Sequence, residues 1–239
     1  MEKQVNIADY LDSTYLKTAK EAGVSESEIK EIVVNSIHEA IVAKFACIMI
    51  RPEFVAIAKE MIETNKSKLK VGTVIDFPLG NKSTEIKVAE AKTAIQNGAF
   101  DIDFVCDYNA FKRGSFEKFD NDILAGTKIV LENKKIVKWI IETGALSRVE
   151  IRDIAKRITN LVQANFPQNA KKVFIKTSTG YYGGYGATVK DVKTIKSVAG
   201  NLQIKASGGV SNRKDCLDMI KVGATRIGTS KALLIYNEK

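Results

Sequence analysis

Short apolar runs alternate along the chain with longer stretches of helical periodicity. Phe45-Ala46-Cys47-Ile48-Met49-Ile50 is apolar throughout and too short for a buried helix, so it reads as a buried strand. Val71–Ile75, Ile136–Ile141, Val173–Lys176, Leu202–Ala206 and Ala224–Gly228 read the same way. Phe100-Asp101-Ile102-Asp103-Phe104-Val105 is different. Its aromatic and aliphatic residues fall on one face and its two carboxylates on the other, as in a half-exposed strand or a barrel strand lining a site. Between the strands lie helical signals. Ser25-Glu26-Ser27-Glu28 is a capping pattern, followed by Ile29, Ile32, Val33 and Ile37 on one helical stripe. Pro52 suits a first helical turn. Thr84 is expected to cap a helix that ends at Gly98, residues 114–135 read as mixed helix, and helices follow over about 147–164, from Thr188, and from Arg213 to Lys221. Ile7 to Thr14 suggests a short helix running into a first strand.

Eight strand–helix alternations in one chain predict an α/β fold, a single-domain (β/α)8 barrel over residues 1–239 with a short N-terminal helix. A doubly wound open sheet is the alternative. The glycine-rich dinucleotide fingerprint that often marks such sheets is not evident.

Composition narrows the function. The chain is 45% hydrophobic, enough for a sizeable core, yet no apolar run approaches the roughly 20 residues of a membrane span. The start of the chain lacks the basic and apolar segments of a signal peptide. Cys47, Cys106 and Cys216 lie far apart with no Cys-x-x-Cys, which points to reduced thiols and a cytoplasmic setting. His38 is the one histidine, so a histidine metal cluster is excluded. The formal net charge is +9 and the isoelectric point near 9.3, which suits a phosphate ester, a nucleic acid, or a basic surface with no specific partner. The aromatic-and-basic clustering of single-strand binders is missing apart from Tyr181, Tyr182 and Tyr185, so nucleic acid is not expected as a partner.

The chemistry collects where a barrel keeps its working face, at the strand C-terminal ends. Val173-Phe174-Ile175-Lys176-Thr177-Ser178-Thr179-Gly180 carries a lysine from an apolar strand into a hydroxyl-rich turn. A free lysine titrates near ~10.4, and a fall of about 3 pH units, roughly 4 kcal/mol, yields an amine that forms Schiff bases. The bland reading is one solvated lysine among many. Asp12, Asp103 and Lys205 fall at comparable places on strands one, four and seven. Lys205 on the neighbouring strand would push Lys176 towards deprotonation, or would serve only as an ion-pair partner of Asp103 or Asp12. Ser207-Gly208-Gly209 and Gly228-Thr229-Ser230 close strands seven and eight, where backbone N–H groups at helix starts would cradle a phosphate.

Taken together, Asp12–Lys17, Phe77–Gly80, Gly98–Asp103, Ile141–Thr143, Phe174–Gly180, Lys205–Gly209 and Gly223–Ser230 resemble, in order and over about residues 8–235, the deoxyribose-phosphate aldolases. The resemblance implies a class I aldolase that reversibly splits 2-deoxy-D-ribose 5-phosphate into D-glyceraldehyde 3-phosphate and acetaldehyde, in deoxyribonucleotide catabolism. It implies Lys176 as the Schiff-base residue, Asp103 as proton donor and acceptor, and Lys205 as the second lysine that tunes Lys176 and shares the proton traffic. Asp12, Thr179, Gly180, Ser207, Gly208, Gly209, Gly228, Thr229 and Ser230 would surround the substrate. No metal and no cofactor would be needed, and the protein would be a homo-oligomer, dimer or tetramer. Three positions depart from the family pattern: Met49 stands where many relatives carry cysteine, with Cys47 two residues earlier; Ser13 replaces a frequent histidine; and Tyr236 is near the chain end, where some relatives use a tyrosine, but receives no role.

Overall fold

Parallel pairing of Leu11–Tyr15 (β1) with Arg226–Thr229 (β8) closes the sheet on itself in the computed structural model, which describes residues 5–238. The other strands are Cys47–Ile50 (β2), Lys70–Ile75 (β3), Asp101–Val105 (β4), Ile136–Ile140 (β5), Val173–Lys176 (β6) and Gln203–Ser207 (β7). They pair in chain order, all parallel, so the barrel reading holds and the open sheet does not. The helices are Ala19–Ala22 (α1), Glu26–Val42 (α2), Val55–Thr64 (α3), Thr84–Gln96 (α4), Tyr108–Lys112 (α5), Phe116–Glu132 (α6), Arg148–Asn165 (α7), Val189–Lys196 (α8), Arg213–Lys221 (α9) and Ala232–Asn237 (α10).

Local chemistry sets most boundaries. Ser25 with Glu28 and Ser147 with Glu150 form capping boxes that open α2 and α7. Thr18 and Glu21 form another, opening α1, a turn the periodicity did not suggest. Thr84 is the first helical residue of α4; the cap is Ser83, whose hydroxyl accepts from Ile86 N. The mixed stretch before β5 holds the single helix α6, with α5 a separate short helix ahead of it, and the N-terminal helix is a single 3-10 turn, Ile7–Tyr10.

The apolar face of each strand points outward against the helices. Trp139 of β5 stacks on Phe104 of β4 at 4.7 Å and donates from Nε1 to Thr127 Oγ1 of α6. A Cβ at Gly126 would lie 2.8 Å from the Trp139 ring, so glycine lets α6 approach the sheet. The inward face is a different matter. Barrel interiors are usually filled by branched apolar residues, but Asp12, Asp101, Asp103, Lys138, Lys176, Lys205 and Arg226 are all buried here.

Candidate active site

Strand alternation sends these charged side chains to the barrel axis, and register stacks them in tiers. The Cα of Lys176 pairs with that of Lys205 across β6 and β7, and Asp103 with Lys138 across β4 and β5. In the upper tier Lys176 Nζ donates to Asp103 Oδ2 at 2.9 Å. Lys205 Nζ donates to the same oxygen at 3.0 Å and lies 2.6 Å from Asp12 Oδ2. Below them Lys138 Nζ contacts Asp101 Oδ2 at 2.5 Å and Asp103 Oδ1 at 3.0 Å. Arg226 bridges Asp12 Oδ1 and Asp101 Oδ2, at 2.5 and 2.8 Å.

Counting charges decides the protonation states. The carboxylates Asp12, Asp101 and Asp103 face the cations Lys138, Lys205 and Arg226, which balance them. Lys176 would be a surplus cation in a buried cluster, and burying an uncompensated charge is costly. Burial pushes its amine down. Asp103 opposes that, Lys205 and Lys138 add to it, and the pKa falls to about 8. Burial alone would raise Asp103, but Lys138, Lys176 and Lys205 outweigh it and hold its carboxyl well below the usual carboxylate range. Lys138 is pushed down by burial and held up more strongly by Asp101, Asp103 and Asp12, so it stays charged.

A cavity of about 550 Å³ opens at the C-terminal ends of β1, β6, β7 and β8; Lys176, Asp103 and Lys205 are buried and are not among the residues that line it. Thr179, Gly180, Ser207, Gly208, Gly209, Gly228, Thr229 and Ser230 all line it. Gly208 has φ +90°, and a Cβ there would come 3.1 Å from Gly186 Cα and 3.4 Å from Gly180 Cα, so only glycine fits. Among the described residues, the backbone N–H groups of Gly180, Gly209 and Ser230 have no acceptor. These donors are not part of a first helical turn, as the sequence suggested: Asn212 caps α9, well past Gly209. Asp12 is placed otherwise than expected. It is fully buried beneath Lys205 as a counter-ion and does not line the cavity. Gly228 has a second job, since a Cβ there would stand 2.9 Å from Lys205 Cε.

Sequence reasoning gave no role to Lys138, Arg226 or Asp101, although alternation along their strands already placed them on one face. Lys17, Glu21, Tyr181, Ser211 and Lys231 also line the cavity without having been given a role at the site. Cys47 and Met49 share the inner face, Sγ to Sδ 3.7 Å, and Gly72 makes room for both. Burial, with Asp101 and Asp12 nearby, pushes the Cys47 thiol up, so it is a poor nucleophile. Donor atoms of Asp12, Cys47 and Asp101 lie within 4.8 Å of one another, but Lys138 and Arg226 already hold both carboxylates. Tyr236 packs edge-on against Phe45, just ahead of β2 and so at the opposite end of the barrel from Lys176.

Residues 14–232 match the family described as DeoC/LacD aldolases. A deoxyribose-phosphate aldolase of Staphylococcus epidermidis is 40% identical over 232 residues, covering 97% of this chain and 96% of its own. Among solved structures, "QR15, an Aldolase" superposes with a TM-score of 0.80 at 32% identity, over 98% of this chain and 95% of that one. A deoxyribose phosphate aldolase from Aeropyrum pernix, described as a unique tetrameric structure, superposes at 0.78 with 26% identity, over 96% of this chain and 89% of that one.

Proposed function

The chain belongs to the DeoC/LacD family of aldolases, and from that membership we propose that it cleaves 2-deoxy-D-ribose 5-phosphate reversibly to D-glyceraldehyde 3-phosphate and acetaldehyde, through an imine on Lys176. The observation that carries the residue assignment is the position of that amine. Among the described residues, it is the one buried cation inside the barrel without a carboxylate of its own, since Asp103 Oδ2 already serves Lys205.

Neutral Lys176 Nζ attacks C1 of the open-chain sugar, and loss of water with uptake of one proton leaves an iminium. The C3 hydroxyl then gives up its proton and the C2–C3 bond breaks. Its electron pair moves between C2 and C1 while the C1–N π pair returns to nitrogen, giving an enamine and free glyceraldehyde 3-phosphate. Protonation at C2 and hydrolysis release acetaldehyde and restore the amine. Asp103 touches both lysines, so its carboxylate can take the proton that leaves the Lys176 nitrogen, and the Lys205 ammonium beside it can supply one to the departing oxygen. Lys205 and Lys138 keep Asp103 ionised and help keep Lys176 neutral.

Gly180, Gly209 and Ser230, whose N–H groups have no acceptor among the described residues, line the cavity together with Lys17 and Lys231, and these donors would hold the phosphate. An imine supplies the electron sink, so these residues need no cofactor for the steps above. The working form is a homo-oligomer, dimer or tetramer, in line with the tetramer described for the Aeropyrum pernix relative. Among the described residues no helix is long and apolar enough to cross a membrane. The three thiols are unpaired and buried, and we place the protein in the cytoplasm on that ground.

The test is cleavage of deoxyribose 5-phosphate, coupled to detection of glyceraldehyde 3-phosphate, with Lys176→Ala beside the wild type. Wild-type turnover with loss of at least a thousandfold in the variant supports the reading. Equal rates contradict it.

A further inference from the structure

Glu142 is a buried carboxylate that the mechanism does not use. It lies two residues past the end of β5, is 1% exposed, and has φ 57° and ψ 69°. That left-handed conformation is uncommon for any residue but glycine, asparagine and aspartate, and it persists where the surroundings over-determine it. Glycine would satisfy the backbone without strain. A glutamate held there points to a task for the side chain.

The side chain spends itself on one residue. Oε2 accepts from Thr179 Oγ1 at 2.5 Å and from Thr179 N at 3.2 Å, with Oε1 3.4 Å from the same nitrogen. Among the described residues no lysine or arginine comes within ion-pair distance of it, unlike the carboxylates inside the barrel. Because the Thr179 hydroxyl proton is committed to Glu142, its oxygen is free to accept, and it takes the N–H of Tyr181 at 3.0 Å. The turn Thr179-Gly180-Tyr181 is thereby pinned at both ends, with Gly180 at φ +83° and its free N–H bordering the cavity.

Neighbouring contacts extend the same clamp. Thr143 N donates to Thr177 O at 2.9 Å, and the hydroxyls of Thr143 and Ser178 lie 3.1 Å apart. A Cβ on Gly144 would fall 2.5 Å from Tyr185 Cβ, so the tyrosine-rich loop after the turn also lies on this segment. The exit of β5 is a platform that shapes the exit of β6.

Building on the aldolase reading above, we propose that Glu142 is a positioning residue for the phosphate end of the substrate. It holds Thr179, Gly180 and Tyr181 so that the Gly180 N–H is aimed into the cavity. It leaves the imine chemistry on Lys176 alone. Its removal weakens binding of the phosphorylated sugar and spares the steps at C1 to C3.

The experiment compares wild type with Glu142→Gln, Glu142→Ala and Glu142→Gly. Steady-state kinetics are measured on 2-deoxyribose 5-phosphate and on unphosphorylated 2-deoxyribose, beside borohydride trapping of acetaldehyde on Lys176. Glu142→Gly relaxes the backbone, so it unfolds at a higher temperature than Glu142→Ala and separates folding from function. The proposal expects Glu142→Gly to raise KM for the phosphorylated sugar by about tenfold, the scale of a lost hydrogen bond to a charged ligand, with kcat within about threefold. Preference for the phosphorylated over the plain sugar falls by a similar factor, trapping proceeds as in wild type, and Glu142→Gln, which keeps an acceptor for Thr179, lies between. A folded Glu142→Gly with wild-type KM overturns the proposal, as does a fall in kcat with KM unchanged. Failure of the aldolase reading shows separately, as wild-type protein that neither traps acetaldehyde nor cleaves the phosphorylated sugar.

Discussion

Lys176 and Lys205 stand opposite each other on β6 and β7, and both amines reach the same atom, Asp103 Oδ2, at 2.9 and 3.0 Å. One carboxylate oxygen cannot neutralise two ammonium groups. Lys205 has Asp12 as well, at 2.6 Å, and among the described residues Lys176 has no other carboxylate within ion-pair distance. As pH rises, Lys176 is therefore the one that gives up its proton first, near 8.

This fixes the pH dependence. In the proposed mechanism Lys176 attacks only as the neutral amine, so the rate of imine formation should rise as pH increases through about 8. Lys205→Met removes a cation that lowers the Lys176 pKa, and moves this rising limb to higher pH. Asp103→Asn removes the group that raises it, and moves the limb to lower pH while slowing turnover. Trapping rates with acetaldehyde across pH 6 to 10 check both directions.

The same burial makes Lys176 a liability to stability. Its pKa is lowered in the folded state, so between about 8 and the unfolded value the unfolded chain binds more protons. Folding stability from this group therefore rises with pH across that window, and below it the full cost is present, on the order of 3 kcal/mol. Lys176→Met should abolish trapping and raise stability to urea at pH 7 by about 1–3 kcal/mol, a gain that shrinks towards pH 10.

Lys138 behaves in the opposite way. It holds Asp101 and Asp103 at 2.5 and 3.0 Å and is fully buried. Lys138→Met leaves two carboxylates short of a partner and should cost about 3–5 kcal/mol in urea denaturation. Adding Asp101→Asn should restore part of it, because the charges then balance again.

Gly228 is tested by one methyl group. In Gly228→Ala the new Cβ meets Lys205 Cε at 2.9 Å and Ser207 Cβ at 3.0 Å. Lys205 is pinned by Asp12 and Asp103 and cannot swing aside freely. Cleavage should fall by at least about tenfold while the circular dichroism spectrum stays that of the wild type.

Much of the barrel was legible because it is written in short-range patterns. Apolar runs gave the strands and capping residues opened most of the helices, with one-residue errors such as Thr84 for Ser83. The site was legible where a strand runs into a glycine turn, as at Lys176-Thr177-Ser178-Thr179-Gly180. What escaped depends on closure of the barrel. Arg226 meets Asp12 and Asp101 across almost the whole chain and half of it, and no local pattern announces that pairing. Asp12 stood at the right strand end, but only the tier it occupies shows a counter-ion under Lys205 rather than a residue on the cavity wall. Glu142 was hidden for another reason: the sequence motif names the residue, and the left-handed backbone that singles it out appears only in three dimensions.

The most direct measurement is peptide mapping after the protein is incubated with acetaldehyde and reduced with borohydride. An N-ethyl group on Lys176, and on none of the other lysines in stoichiometric amount, is the predicted result. Label on Lys205 in place of Lys176, or none on either, contradicts the central assignment.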